Sequence, residues 1–283
     1  MIDLIVPSVI GLGLGGFLGN DLAHKGITAE NALEKHQKTA RIIFISLAGL
    51  LTLLIVIDRS NLSYYLPAVF PHILSLHIQA IFDNLLLGFG FFIFGLLFLL
   101  ELSGWSSSQR RNQLLVGLGA ISLCLSLLLY WFSPVIHDVG ELKIVDGVVI
   151  QSTTVTCAPA SIATLARLSG KHPNISEKEV VELTNTNRLG TNTLAEIAAM
   201  EELGLNPDYH HDSTLDELIN RKQLALLHVK QRWLSQQFPH AVVLMGIDTD
   251  KEELIIGNPL FGTETKPFSE LKGYWFGEVI FIS

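Results

Sequence analysis

Gln151-Ser-Thr-Thr-Val-Thr-Cys157-Ala-Pro-Ala-Ser161 sets a glutamine six residues ahead of a cysteine, and His240 and Asn258 follow farther along the chain. Each of these four residue types has its own chemical capacity. A cysteine thiolate attacks a carbonyl carbon, an imidazole holds the thiol proton, an asparagine amide orients the imidazole, and a glutamine amide donates to a developing oxyanion. The flanking residues say where the cysteine sits. Residues 141–150 alternate like a strand, with a turn at Asp146-Gly147, and lead straight into Gln151; Cys157 then opens a helix through Leu168 that ends at Gly170. Pro159 fits the first turn of that helix, where no amide hydrogen bond is lost. A helix N-terminus offers unsatisfied amides and partial positive charge, which predicts a thiol pKa below the usual value of about 8.5.

Outward from this stretch, Ser176 and Glu179 form a capping box for a second helix, and residues 193–203 form a third that stops at Gly204. Strands are predicted at 224–229, 241–247, 253–256 and 278–282. Helices first and strands afterwards indicate an α+β domain with a mostly antiparallel sheet, the cysteine helix packed on it. His240 is expected at a strand start and Asn258 just after the next strand, so that a turn at 248–251 brings them to one edge of the sheet. His210-His211 is expected as an exposed loop pair, His228 as a structural core histidine, and Asp248 with Asp250 as a hairpin turn rather than a calcium loop.

The rest of the chain has a different character. Of the 283 residues, those up to Ser133 carry seven acidic and seven basic side chains among long apolar runs, so the net charge of −8 belongs to the later part. Acidity there argues against nucleic acid, whose phosphates require clustered Lys and Arg. Four apolar stretches, near 4–22, 42–57, 79–100 and 113–132, approach the roughly 17–25 residues that a membrane-spanning helix needs. A cleavable signal peptide is the rival reading of the first, but the start Met-Ile-Asp-Leu lacks a basic n-region. Two domains are therefore expected: a four-helix transmembrane domain at 1–133 and a globular domain at 134–283.

Short-loop charge sets the expected orientation. Lys25, Lys35, Lys38, Arg41, Arg110 and Arg111 fall on one side, against Arg59 and Lys143 on the other. The excess turns both termini away from the cytoplasm, so the C-terminal domain is expected to face the periplasm or exterior. Within the first span, Gly11, Gly15 and Gly19 at four-residue spacing suit close helix packing. Gly11, Gly13 and Gly16 also satisfy GxGxxG, yet no strand precedes them, as a dinucleotide site requires. His72, His77 and Asp83 could in principle gather at the outer mouth of the bundle, but their spacing matches no recognised metal-ligand signature. Neither a metal nor a cofactor is expected. Cys124 lies inside the fourth apolar stretch, which leaves Cys157 without a disulfide partner in its own domain.

The stretch from Gln151 to Ser161 resembles the Gln-x5-Cys-Gly-Pro-Ala motif of the bacteriocin-processing, double-glycine leader cysteine peptidases, peptidase family 39 of the papain-like clan. Gly190-Thr-Asn-Thr-Leu, Leu203-Gly-Leu, His240-Ala-Val-Val-Leu-Met-Gly-Ile-Asp, Gly257-Asn-Pro-Leu-Phe-Gly and Tyr274-Trp-Phe-Gly look like the later landmarks of that family. The likeness covers about residues 148–283. It implies a papain-like fold, Cys157 as nucleophile, His240 as base, Asn258 as orienting group and Gln151 as oxyanion donor. It also implies a peptide or small protein substrate, with the lipid bilayer and a secretion or export system as partners. Asn258 stands where the family usually has Asp, and Ala158 where it usually has Gly. Relatives commonly precede an ATPase, and no ATPase motif occurs here. Two other activities would use the same residues: a catalytically silent peptide-binding module, serving as adaptor or receptor, and a thiol acyltransferase or deamidase.

Overall fold

In a computed structural model, the described residues are 2–32, 34–59, 72–104, 115, 119, 122–123, 126–127, 129–233 and 236–283. They divide into two compact units, residues 1–129 and 130–283.

The first unit contains helices Ile2–His24, Ala29–Ala32, Gln37–Arg59 and His72–Gly104. Three segments, Ile5–His24, Gln37–Leu54 and Asn84–Ser103, are long and apolar enough to cross a membrane. The expected fourth span at 113–132 lies largely outside the described residues, as do the side chains of His72, His77 and Asp83. The glycines of the first helix serve packing, as their spacing predicts. A Cβ on Gly15 would stand 1.9 Å from the Phe92 carbonyl oxygen, and one on Gly11 would stand 2.0 Å from that of Gly88. Backbone therefore meets backbone between Ile2–His24 and His72–Gly104, an approach that only glycine permits. Phe17 and Phe44 are about three-quarters exposed.

The second unit is α+β. A small hairpin, β1 (Ile144–Val145) with β2 (Val148–Val149), turns through Asp146 and Gly147, both at positive φ. Helices Cys157–Leu168, Glu177–Thr184 and Thr193–Glu202 follow. The main sheet comprises β3 (Asp208–His210), β4 (Ala225–Trp233), β5 (Gln236–Asp248), β6 (Glu253–Asn258), β7 (Gly262–Pro267) and β8 (Trp275–Phe281). Its order is β3-β8-β4-β5-β6-β7, antiparallel throughout. Strand alternation serves two cores. Leu226 joins Ile162, Leu165, Met200 and Ile280 in one, whereas Leu227 joins Leu218, Val242, Ile256 and Phe281 in the other.

Helix starts match the sequence signals closely. The Ser176–Glu179 capping box is formed in both directions, and Asn192 caps the third helix by accepting from the Ala195 amide. Strand limits depart further. β4 continues past its apolar residues to Trp233 and β5 begins at Gln236, with main chains paired from Lys230 and Pro239 to Trp233 and Gln236. His240 consequently sits within β5 and not at its start, and Asn258 is the last residue of β6. The polar edge strand β7 and the short β3 lacked any such signal, whereas the helix Leu215–Arg221, which was not expected, has one in Thr214, whose hydroxyl accepts from the Glu217 amide. His211 is buried, at 3% exposure, and His210 is half-buried on β3 beside Asp208 and Arg221, which corrects the expected exposed loop pair. At the β5–β6 turn, Asp248 accepts from the Lys251 amide, as expected of a hairpin.

Candidate active site

The segment between Gln151 and Cys157 braces itself and is pinned at both ends. The Thr156 hydroxyl accepts from the Thr153 amide at 3.1 Å and donates to the Thr153 carbonyl at 3.2 Å. Buried Glu177 accepts from the amide and hydroxyl of Ser152. The Gln151 amide nitrogen of the main chain donates to the Pro259 carbonyl at 2.9 Å, which fastens the segment to the residue after Asn258. The Gln151 side-chain nitrogen donates to the Thr153 carbonyl at 2.6 Å, while its buried Oε1 has no hydrogen-bond partner.

Cys157 begins its helix, and that helix docks on β5 through the Ser161 hydroxyl, which donates to the Ala241 carbonyl at 3.0 Å. That contact sets the Cys157 helix against the residue next to His240. Burial pushes the thiol pKa up, with the Ala241 and Ala158 amides pulling against it. The expected depression is not met, because desolvation outweighs the helix-terminal amides. Cys157 is a free cysteine.

His240 and Asn258 are joined directly. His240 Nε2 donates to Asn258 Oδ1 at 3.0 Å, and the same oxygen accepts from the Leu260 amide at 3.0 Å. Asn258 is fully buried, and its nitrogen donates to Glu264 at 2.9 Å and to Gln231 at 3.2 Å. The edge of one ring meets the other between His240 and Phe238, with centroids 6.0 Å apart. Burial pushes the His240 imidazole below its ordinary value, partly opposed by the Asn258 hydrogen bond and the Glu264 charge. At neutral pH the ring is a neutral base.

A second cluster lies nearby. His228, directly opposite Ala241 across β4 and β5, is held by Glu196 and Glu278, each at 2.8 Å. Burial would push this imidazole down, yet the two carboxylates carry it well above its ordinary value. His228 is thus an ion-paired structural residue, and its charge is felt at Cys157, as is that of Glu196.

Of the four expected residues, the structure links Asn258 to His240 by a hydrogen bond, the Cys157 helix to the neighbour of His240 through Ser161, and Gln151 to the neighbour of Asn258. Gln231 and Glu264 were not expected. Gln231 interrupts the apolar alternation of β4 at a buried position, which is a faint signal; Glu264, in the polar run Thr263–Lys266, gives none.

The sequence profile of the peptidase C39 family matches residues 146–283. Among solved structures, the peptidase domain of Streptococcus ComA, a bi-functional ABC transporter involved in a quorum sensing pathway, is similar at 26% identity. That likeness covers 48% of this chain and 96% of the other, with a TM-score of 0.42. The peptidase domain of Streptococcus mutans ComA is similar at 23% identity over 48% of this chain and 98% of its own, with a TM-score of 0.38. A double glycine motif protease from an AMS/PCAT transporter, in complex with the leader peptide, shares 20% identity over 51% of this chain and 93% of its own, with a TM-score of 0.40. No curated protein matches the chain.

Proposed function

Residues 146–283 are a peptidase C39 domain preceded by apolar helices, and from that premise we propose that the protein is a membrane-anchored cysteine endopeptidase that processes a peptide or small secreted protein outside the cytoplasm. The observation that carries the reading is the His240–Asn258 hydrogen bond, beside the docking of the Cys157 helix on β5 at Ala241, the residue next to His240. Residues 134–283 form the catalytic domain, and residues 1–133 anchor it in the bilayer.

Cys157, His240, Asn258 and Gln151 share the chemistry. His240, neutral at rest, takes the thiol proton as the sulfur attacks the scissile carbonyl. A buried thiol gains little by ionising before substrate arrives, so proton transfer accompanies attack. The Cys157 amide and the second hydrogen of the Gln151 side-chain amide hold the oxyanion. His240 returns its proton to the departing amine as the C–N bond breaks. Water then cleaves the thioester, its proton passing to His240, and the free thiol is restored. Asn258 keeps the imidazole oriented throughout.

The outward orientation rests on the excess of Lys and Arg in the opposite loops. A leader ending in a double glycine is the natural first substrate to try, since the match to the peptidase C39 family covers residues 146–283. The experiment is a co-expressed short precursor whose cleavage is followed by mass spectrometry. Cys157→Ala should abolish cleavage; a Cys157→Ala chain that still processes the precursor would sink the reading. A peptide probe with a thiol-reactive end should label Cys157 quickly, whereas a silent binding module would show only slow, ordinary thiol labelling. Reporter fusions at the C-terminus should be active only in a form that works outside the cytoplasm.

A further inference from the structure

Asn258 has one oxygen and one NH2 group, and the structure uses both. Its nitrogen faces the carboxylate of Glu264 and the side-chain oxygen of Gln231. A carboxylate only accepts, so it settles which end of the amide points toward β7. The oxygen is then turned to His240, where it too can only accept. In the neutral ring Nε2 therefore carries the hydrogen and Nδ1 keeps the lone pair needed to take a proton from the thiol.

We propose that Glu264 is a positioning residue for the thiol reaction: through Asn258 it fixes the tautomer and orientation of His240, and it places a carboxylate charge one residue behind a neutral amide. This rests on the reading of Cys157 and His240 as the reacting pair. Gln231 assists from β4 as a neutral acceptor, held by its own amide, which donates to the Arg232 carbonyl. Besides Cys157, read as the reacting partner, the charged and titratable groups around the relay are Glu264 and Lys266 from β7, and Tyr274 from the short helix Leu271–Tyr274. Lys266 lies 3.6 Å from the Glu264 carboxylate and over the Tyr274 ring. The Glu264 charge acts on His240 in the direction that makes it a stronger base.

The test uses the full-length protein in detergent, with Cys124 replaced by Ser, and follows alkylation of Cys157 by iodoacetamide against pH together with 15N signals of the His240 imidazole. Glu264→Gln keeps an acceptor for Asn258 and removes the charge. It should move the His240 titration to lower pH and slow alkylation at neutral pH by up to about tenfold, the equivalent of one pKa unit. Asn258→Asp should also be slower while Glu264 remains, because two carboxylates then face each other across 2.9 Å and must move apart or share a proton, which loosens the hold on His240. Combining Asn258→Asp with Glu264→Gln should recover most of that loss, since the amide introduced on β7 can donate to the new carboxylate. An unshifted His240 titration in Glu264→Gln, a fast Asn258→Asp protein, or a double variant no faster than Asn258→Asp would each overturn the relay. Processing that survives Cys157→Ala would instead overturn the peptidase reading; loss of processing in that variant, with the relay results negative, removes only the role of Glu264.

Discussion

His228 and His240 sit on paired strands, one position out of register, and their surroundings drive them apart. His240 is buried and His228 half-buried, and desolvation alone makes each a weaker base. His228 lies between two carboxylates and carries a proton far above its ordinary range. His240 has a neutral amide as its direct partner and a carboxylate only behind it, and burial prevails. Partner charge, more than depth, thus separates an ion-paired cation from an imidazole left neutral.

The largest expected break of this contrast is His240→Ala. Removing the base should lower the rate of precursor cleavage by about 10²–10⁴-fold, the range usual for a lost general base. The fold should survive, because Asn258 keeps Leu260, Gln231 and Glu264 as partners. Hydrogen exchange in β5 and β6 checks that claim alongside the kinetics. His228→Leu should show the reverse emphasis. It leaves Glu196 and Glu278 without their shared cation, and the loss of one partner from a buried charged group costs about 3–5 kcal/mol. Amide exchange in β4 and β8 should accelerate accordingly. Alkylation of Cys157 should slow as well, because the Glu196 charge that raises the thiol pKa loses its opposing cation. Unchanged exchange in this variant would mean that the cluster holds nothing together.

The two histidines also mark how far residue pattern alone carries. His240 is legible because Gln151, Cys157 and Asn258 stand around it at telling intervals, and Cys157 opens a helix with plain start and stop residues. His228 is legible only as a core histidine. Its carboxylates come from Glu196 on a helix and Glu278 on the last strand, and no local periodicity reports a contact 50 residues away in the chain. Glu264 is hidden for a related reason: β7 is a polar edge strand whose main chain, rather than an apolar stripe, places it on β6. The raised thiol pKa escapes the pattern because helix position is local and visible, whereas desolvation depends on everything packed around the sulfur.

The smallest effect is also the one that separates the two histidines by sign. His228 has a folded-state pKa above its unfolded value of about 6.5. Its contribution to stability is therefore complete below that value and is lost as pH rises through the folded pKa. His240 has a folded-state pKa below its unfolded value. Its protonation resists folding, so stability falls as pH drops from about 6.5 through the folded pKa, and cleavage activity should fall in the same acid window. A pKa that differs by one between the folded and unfolded chains corresponds to about 1.4 kcal/mol. Local opening free energies, from hydrogen exchange corrected for the intrinsic pH dependence of the rate, should decline at both ends of the range. His228→Gln should remove the alkaline decline and leave the acid limb of cleavage in place. Were that limb to stand at or above pH 6.5, burial would not be what keeps His240 neutral, and the distinction between the two sites would have to come from their carboxylates alone.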